Sequence, residues 1–422
     1  MHIYFSGVGG VGIGPLAEIA HDAGYRVFGS DKQQSLMTEQ LAQRGISIVI
    51  GQDGSQIAGI HEKNSIDWFV YTAALPDDHP ELVFAREHGI RASKRDELLA
   101  HIIREKNLKL IAACGTHGKT TTTSLLIWTL KQLGVPISYS VGTTLNFGPS
   151  GLFDPLSTYF VYECDEFDRN MLHFEPQLSL ITSLDHDHFD TYPTAQDYAS
   201  AFVQFIEQSD YTLLWEKDLR YLHEDPRADL ESYDEHMDLS HFTLAGDHTR
   251  HNAFLVQKAL ERLLPDVEEV AIVQALNQFP GADRRMEKLA DNLYSDYGHL
   301  PGEIAATLQM ARELSDHVVL VYQPHQNLRQ QEVRDDYTNA VILAEKIYWL
   351  PTYLTREHAG QAVLTPEDLT EKLTNRDAVE YADMNDELWQ SIKRERAAGK
   401  LVLVMGAGPI DAWVRKQLSP ST

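Results

Sequence analysis

The chain opens on a short apolar run, His2–Ser6, turns through glycines, and enters a helical stretch from about Pro15 to Ala23. A second apolar run, Tyr25–Gly29, ends in Ser30-Asp31, and the runs Ile46–Ile50 and Trp68–Tyr71 follow with helical stretches between them. Apolar runs of this length bounded by turn residues read as strands, and their alternation with helices predicts a parallel sheet. The pattern closes near Lys106, after the helix carrying Asp96–Arg104. It then restarts at Leu108–Ala113, which leads into a glycine loop and a threonine-rich helix. Strands are predicted at Tyr159–Glu163 and Leu178–Thr182, and a helix over Asn252–Leu264. A third block starts near Gly281, with strands at Val318–Tyr322 and Leu401–Met405. Three α/β domains in series are predicted, over residues 1–106, 107–280 and 281–422. No repeat or low-complexity run interrupts them.

Length agrees, since 422 residues exceed one ordinary core. With 62 acidic against 36 basic residues, the net charge of −26 argues against a nucleic-acid surface. It does not exclude phosphate ligands, which backbone N–H groups and one lysine hold locally. No apolar stretch approaches the roughly 18 residues that span a bilayer, so no membrane insertion is expected. The start, MHIYFSGVGG, has no basic region or cleavage site. Two cysteines, Cys114 and Cys164, are too few for a disulfide framework. A reducing cytoplasm is the expected compartment, and a monomer or homodimer the expected state.

Candidate chemistry concentrates at strand ends. Ala113-Cys-Gly-Thr-His-Gly-Lys119-Thr120 is a phosphate loop with Ala where the common pattern begins with Gly. Backbone groups over Gly115, Thr116, His117 and Gly118, and the helix start through Thr121, are expected to face phosphate oxygens. Lys119 is expected on the β- and γ-phosphates and the Thr120 hydroxyl on Mg²⁺, making ATP and Mg²⁺ the expected ligands. Glu163-Cys-Asp165-Glu166 follows a strand. Carboxylates there, beside a phosphate loop, are placed to hold Mg²⁺. That reading singles out Glu163 and says less about Asp165 and Glu166. Asp185-His186-Asp187-His188-Phe189-Asp190 fits either a metal site or a polar loop with satisfied histidines.

Gly7-Val-Gly9-Gly10-Val-Gly12, with Ser30 and Asp31 about 20 residues on, matches the dinucleotide fingerprint. The geometry suits any nucleoside diphosphate and does not choose between NAD and a nucleotide sugar. Arg250-His251-Asn252 opens a predicted helix. Gly281–Arg285, Ser295–His299 and Gln323-Pro-His325 would each, alone, be a solvated loop or cap.

In their order, these motifs resemble the Mur ligases, ATP-dependent amide-forming enzymes of peptidoglycan precursor synthesis. The resemblance runs over nearly the whole chain, through Gly-Ser-Asp31, the phosphate loop, Glu-Cys-Asp-Glu-Phe-Asp and Asp187-His188-Phe-Asp190-Thr-Tyr. It continues through Arg250-His251-Asn252, Arg284-Arg285, Asp296-Tyr-Gly-His299 and Gly406-Ala-Gly408. It implies a Rossmann-like N-terminal domain for a UDP-sugar, a central P-loop ATPase with a mostly parallel sheet, and a mobile Rossmann-like C-terminal domain. It also implies that Thr120 and Glu163 hold one Mg²⁺ and His188 helps hold a second. Asn252 is then the adenine contact, and Arg285 and Asp296 close over ATP. His299 and Arg329 lie near the incoming amino acid.

The pattern is most similar to the branch that joins L-alanine to UDP-N-acetylmuramate through an acyl phosphate. Four positions depart from the family or its sister branches. Ser295 stands where an acid is usual, Gln326 where an arginine is usual, and Pro409 where asparagine is usual. Val203 falls where some sister ligases carry a carbamylated lysine, which agrees with the alanine-adding branch. Rival readings are a sister enzyme that attaches an intact tripeptide, an NAD-dependent dehydrogenase built on Gly7–Gly12, and a non-catalytic nucleotide sensor. The dehydrogenase leaves the phosphate loop unexplained, and a sensor has no use for the full Mg²⁺ set.

Overall fold

The computed structural model describes residues 1–10, 12–72, 75–355, 357 and 360–419. It contains three sheets, all mostly parallel. The first runs, in spatial order, Ser47–Ile50, Arg26–Asp31, His2–Ser6, Trp68–Tyr71, Arg91–Lys94, every pair parallel. The second runs Leu230–Tyr233, Thr212–Trp215, Leu178–Ile181, Lys109–Cys114, Tyr159–Glu163, Ile137–Ser140, Gly151–Leu152, with only the last pair antiparallel. The third runs Glu287–Ala290, Leu293–Asp296, Leu401–Met405, Val318–Tyr322, Lys346–Trp349, Val379–Tyr381, with its first pair antiparallel.

Two compact units hold these sheets. Met1–Asp238 with Asn252–Phe279 contains the first two, and Leu239–His251 with the chain from Pro280 onward contains the third. In the first unit one apolar core runs through both sheets, from Ile3, Phe5 and Trp68 to Leu110, Phe160 and Phe202. Polar ties reinforce it. The Tyr162 hydroxyl donates to Asp96 at 2.5 Å, and Lys94 pairs with Asp168. In the third sheet the strand period of two is plain. Val318, Leu320 and Tyr322 pack on one face, Val319 and Val321 on the other.

The helix expected from Asn252 begins earlier, at Asp247, and runs to Leu263. Gly246, at φ 84°, turns the chain into it, and the Asp247 N–H donates to Gln309 at 3.0 Å. Arg250 then pairs with Glu313 at 2.8 Å. Asn252 therefore lies beyond the first turn instead of opening the helix.

Candidate active site

The phosphate loop joins the strand Lys109–Cys114 to the helix Lys119–Gln132. Gly115 sits at φ 136°, and a Cβ there would lie 2.6 Å from Thr182 Oγ1 and 2.7 Å from the Ser183 carbonyl oxygen. Only glycine meets both demands. The loop is braced from the end of the strand Leu178–Ile181. Thr116 N–H donates to the Ser183 carbonyl and His117 N–H to Ser183 Oγ, each at 2.9 Å. Thr116 Oγ1 accepts from the Asp185 N–H at 2.8 Å, and His117 Nε2 lies 3.2 Å from Asp185. Thr116 and His117 thus spend their N–H groups on the loop's own framework. Gly118, at φ 85°, opens the helix, and Thr121 lies in its first turn. Asn252 is buried against this turn, its Oδ1 2.9 Å from where a Cβ on Gly118 would stand.

Thr120 and Glu163 meet at the head of the loop. Thr120 Oγ1 donates to Glu163 Oε1 at 2.7 Å, and Glu163 Oε2 accepts the Gly142 N–H at 2.7 Å. A hydroxyl and a carboxylate at the head of a phosphate loop are the hard oxygen donors that suit Mg²⁺.

His188 does not join this pair. Its Nε2 lies 3.1 Å from Glu166 Oε1, and Lys119 Nζ lies 2.9 Å from Glu166 Oε2. Glu166 is wholly buried, and the Tyr192 hydroxyl fixes its carbonyl at 2.6 Å. Burial opposes its charge, but Lys119 and His188 outweigh that and hold the carboxyl below the usual range. Burial likewise disfavours charge on Lys119 and His188. Glu166 and Asp165 nevertheless raise the lysine, and Glu166 and Asp187 raise the histidine. Asp165 is pushed upward by burial and by Glu166. Among the described residues, Asp165, Glu166 and His188 present one ligand atom each within 4.8 Å of one another.

At the other glycine loop, the N–H groups of Gly7 and Val8 donate to the Ser30 carbonyl at 2.8 and 3.0 Å. Gly9 N–H donates to Asp31 Oδ2 at 2.7 Å, and Gly10 N–H to the Gly7 carbonyl at 3.1 Å. Asp31 thus braces the loop in this structure. Ser30 is buried, and its hydroxyl donates to Glu81 at 2.9 Å, together with Tyr4 and Ser6. A Cβ on Gly12 would stand 2.6 Å from Arg95 Nη1. Arg95 also reaches Asp165 at 3.5 Å, linking this loop to the acidic cluster.

The remaining predicted residues lie in the second unit. Asp296 is buried and turned onto its own loop, accepting from Met286 and Gly298 N–H at 2.8 and 2.7 Å. Burial raises its carboxyl above the usual range. The Arg285 guanidinium lies 5.3 Å from the Tyr297 ring centre. His299 sits 3.5 Å from Glu303 and edge-on to His325, their rings 5.8 Å apart. Gln326, at φ 64°, caps the helix Asn327–Val333 that carries Arg329. Ser295 explains its own departure from the family pattern. It is fully buried and donates to Asp411 at 2.6 Å, where an acid would set two carboxylates together.

Glu166 and Arg95 are the residues that sequence reasoning left out. Within Glu-Cys-Asp-Glu nothing distinguishes the buried acid from its two half-buried neighbours. Arg95 stands far along the chain from Gly12, with no spacing to connect them.

Three family profiles cover the chain: "Mur ligase family, catalytic domain" over residues 2–107, "Mur ligase middle domain" over 114–229, and "Mur ligase, glutamate ligase domain" over 284–408. The chain belongs to the Mur ligase family. Mur ligases are ATP-dependent ligases, which fits the phosphate loop. Among curated relatives, the UDP-N-acetylmuramate–L-alanine ligase of Desulfosudis oleivorans is 31% identical, matching 98% of this chain and 96% of its own. The enzyme of the same name from Leptothrix cholodnii is 32% identical, over 97% and 96%. The fold is similar to a UDP-N-acetylmuramate–alanine ligase from Thermotoga maritima, at TM-score 0.73 and 22% identity, over 99% of this chain and 98% of that one. It is also similar to a murein peptide ligase from Psychrobacter arcticus, at TM-score 0.65 and 21% identity, with the same coverage. Among the described residues no helix is long and apolar enough to cross a membrane.

Proposed function

We propose that this Mur ligase joins L-alanine to UDP-N-acetylmuramate, consuming ATP and forming ADP and phosphate. The observation that carries the reading is the Thr120–Glu163 pair at the head of the phosphate loop, 2.7 Å apart, with Lys119 beside it. The choice of substrates is supported by relatives of that name, 31% and 32% identical over nearly the full chain.

The muramyl carboxylate is inert to amines at neutral pH and needs a leaving group. In the proposed reaction it attacks the γ-phosphorus of ATP in line, giving an acyl phosphate and ADP. The alanine amine then attacks the acyl carbon and expels phosphate. Lys119 exchanges Glu166 for the phosphoryl oxygens and stabilises their developing charge. Thr120 and Glu163 would hold Mg²⁺, which would supply further positive charge to those oxygens. The Gly7–Gly12 loop binds the sugar diphosphate as a substrate, with Arg95 beside it as the cation and with Ser30 and Asp31 bracing the loop from the neighbouring strand. Asn252, Arg285 and Asp296 are assigned to ATP, and His299 and Arg329 to the amino acid, by their place in the motifs. Domain limits of 106/107 and 280/281 belong to the same reading.

The test is phosphate release with ATP and UDP-N-acetylmuramate, using L-Ala, Gly, L-Ser and the cell-wall tripeptide as acceptors. Release with L-Ala as the best acceptor is expected. Release with the tripeptide alone would transfer the chain to the recycling branch, and no release with any acceptor would sink the reading.

A further inference from the structure

Glu81 is fully buried, and three hydroxyls donate to it: Tyr4 at 2.7 Å, Ser6 at 2.6 Å and Ser30 at 2.9 Å. A serine whose hydrogen is committed in this way offers a neighbour only lone pairs. The Gln52 amide meets both serines, so the group it turns toward them must be its NH₂. Nε2 lies 2.9 Å from Ser6 Oγ, 3.2 Å from Ser30 Oγ and 3.4 Å from Glu81 Oε2. Oε1 is thereby turned away from the buried acid, on a side chain that is only half-buried. The carboxylate below thus decides that Gln52 presents an acceptor.

Gln52 follows the strand Ser47–Ile50 by two residues, and Ser6 and Ser30 lie at the same end of the two neighbouring strands. Ligands of open parallel sheets bind at these carboxyl ends. The Gly7–Gly12 loop leaves the strand His2–Ser6, so a nucleoside attached to a diphosphate there extends past Asp31 toward Gln52. A Cβ on Gly54 would stand 3.3 Å from Pro80 Cβ, which sets the Gln52 loop against the start of the helix Pro80–Glu87 and its cap, His79. His79 is 6% exposed, and its Nδ1 has no hydrogen-bond partner among the described residues. Burial holds its ring below the usual histidine range, so the neutral form, with one N–H to donate, prevails at neutral pH. A buried polar atom without a partner is costly, and a ligand at this edge would satisfy it.

Uracil fits an acceptor fixed in this way. Its edge carries an N3–H between two carbonyl oxygens, whereas cytosine has a lone pair at N3. Gln52 Oε1 accepts the first and repels the second, and a uracil carbonyl suits the His79 N–H. We infer that Gln52 selects the uracil base of the sugar nucleotide, reading N3–H through an Oε1 that the buried Glu81 orients, with His79 as the second contact. The inference rests on the functional reading above for the sugar nucleotide itself. Gln52 is then a specificity-determining residue, and Glu81 a positioning residue that acts through it.

The experiment measures UDP and CDP binding to the full chain by calorimetry. The wild type is expected to prefer UDP by about a hundredfold, because a site built around a hydrogen bond rejects the analogue that cannot make it. UDP methylated at N3 should bind as weakly as CDP. Gln52→Met keeps the length of the side chain without its hydrogen bonds. It is expected to weaken UDP at least about tenfold and leave CDP unchanged, so the preference collapses. Glu81→Gln frees the amide to turn either way, and the preference should fall below about tenfold. A ratio of two affinities is not moved by a loss of stability alone, which separates this role from a merely structural one. Equal binding of UDP and CDP to the wild type overturns the inference, as does binding of neither, or a full preference in Gln52→Met. A full preference in Glu81→Gln overturns the part assigned to Glu81. A UDP preference without phosphate release from UDP-N-acetylmuramate would defeat the functional reading alone, and release without the preference would defeat only this inference.

Discussion

Lys119 is a cation whose resting partner, Glu166, is buried beyond the reach of water. Lys119→Ala should therefore still bind UDP-N-acetylmuramate in calorimetry but lose at least about a thousandfold in phosphate release, since preorganised charge of this kind is worth several kcal/mol. Near-normal turnover would remove the loop from the mechanism. Gly115→Ala tests the backbone instead. Its Cβ would meet Thr182 and Ser183 at 2.6 and 2.7 Å while φ stays at 136°. A loss of about 1–3 kcal/mol in urea unfolding is expected, with weakened ATP binding. At this scale the sequence was most legible where a residue's role is local. Gly115, Lys119 and Thr120 are neighbours in the chain, so spacing alone joins them. Glu166 was not legible, because its function depends on which acid of an acidic run folds inward.

The elements carry a second kind of constraint. Asp218, on the short helix Glu216–Tyr221, accepts the Leu184 N–H at 2.9 Å and so anchors the segment that braces the phosphate loop. Burial raises its carboxyl from 3.8 to about 6. The native state therefore holds the proton over a range where the unfolded chain has released it. Stability from this group is full below about pH 4 and falls as pH rises towards 6. Asp218→Asn keeps the acceptor and removes the charge. It should be more stable than wild type at pH 7.5 by about 2–3 kcal/mol, and the difference should vanish near pH 4. Urea unfolding at the two values checks this, and a pH-independent difference would contradict it. The strands at 159–163 and 401–405 match their apolar runs because a strand buried on both faces announces itself. The start of the helix at Asp247 was not visible, since Gly246, Gln309 and Glu313 set it and two of those are distant in sequence.

Across the first unit, the two sheets share one core and the Tyr162–Asp96 bond. Tyr162→Phe leaves a buried carboxylate short of a donor and should cost about 1–3 kcal/mol. The shared core predicts that both sheets still lose protection together in hydrogen exchange. Separate loss of the N-terminal sheet, in wild type or variant, would show that the two fold independently.

The sequence by itself determined three α/β sheets, a phosphate loop and a second glycine loop. Each follows from local periodicity, or from glycine, lysine and acid at fixed positions next to a strand end. Only the tertiary structure decided that His188 meets Glu166, that Asp31 braces its own loop, and that Arg95 lies between Gly12 and Asp165. These are contacts between segments far apart in the chain, chosen by burial and charge balance once the core has formed. Spacing along the sequence pointed to Asp31 but not to what its carboxylate does, and it encodes neither of the other two contacts.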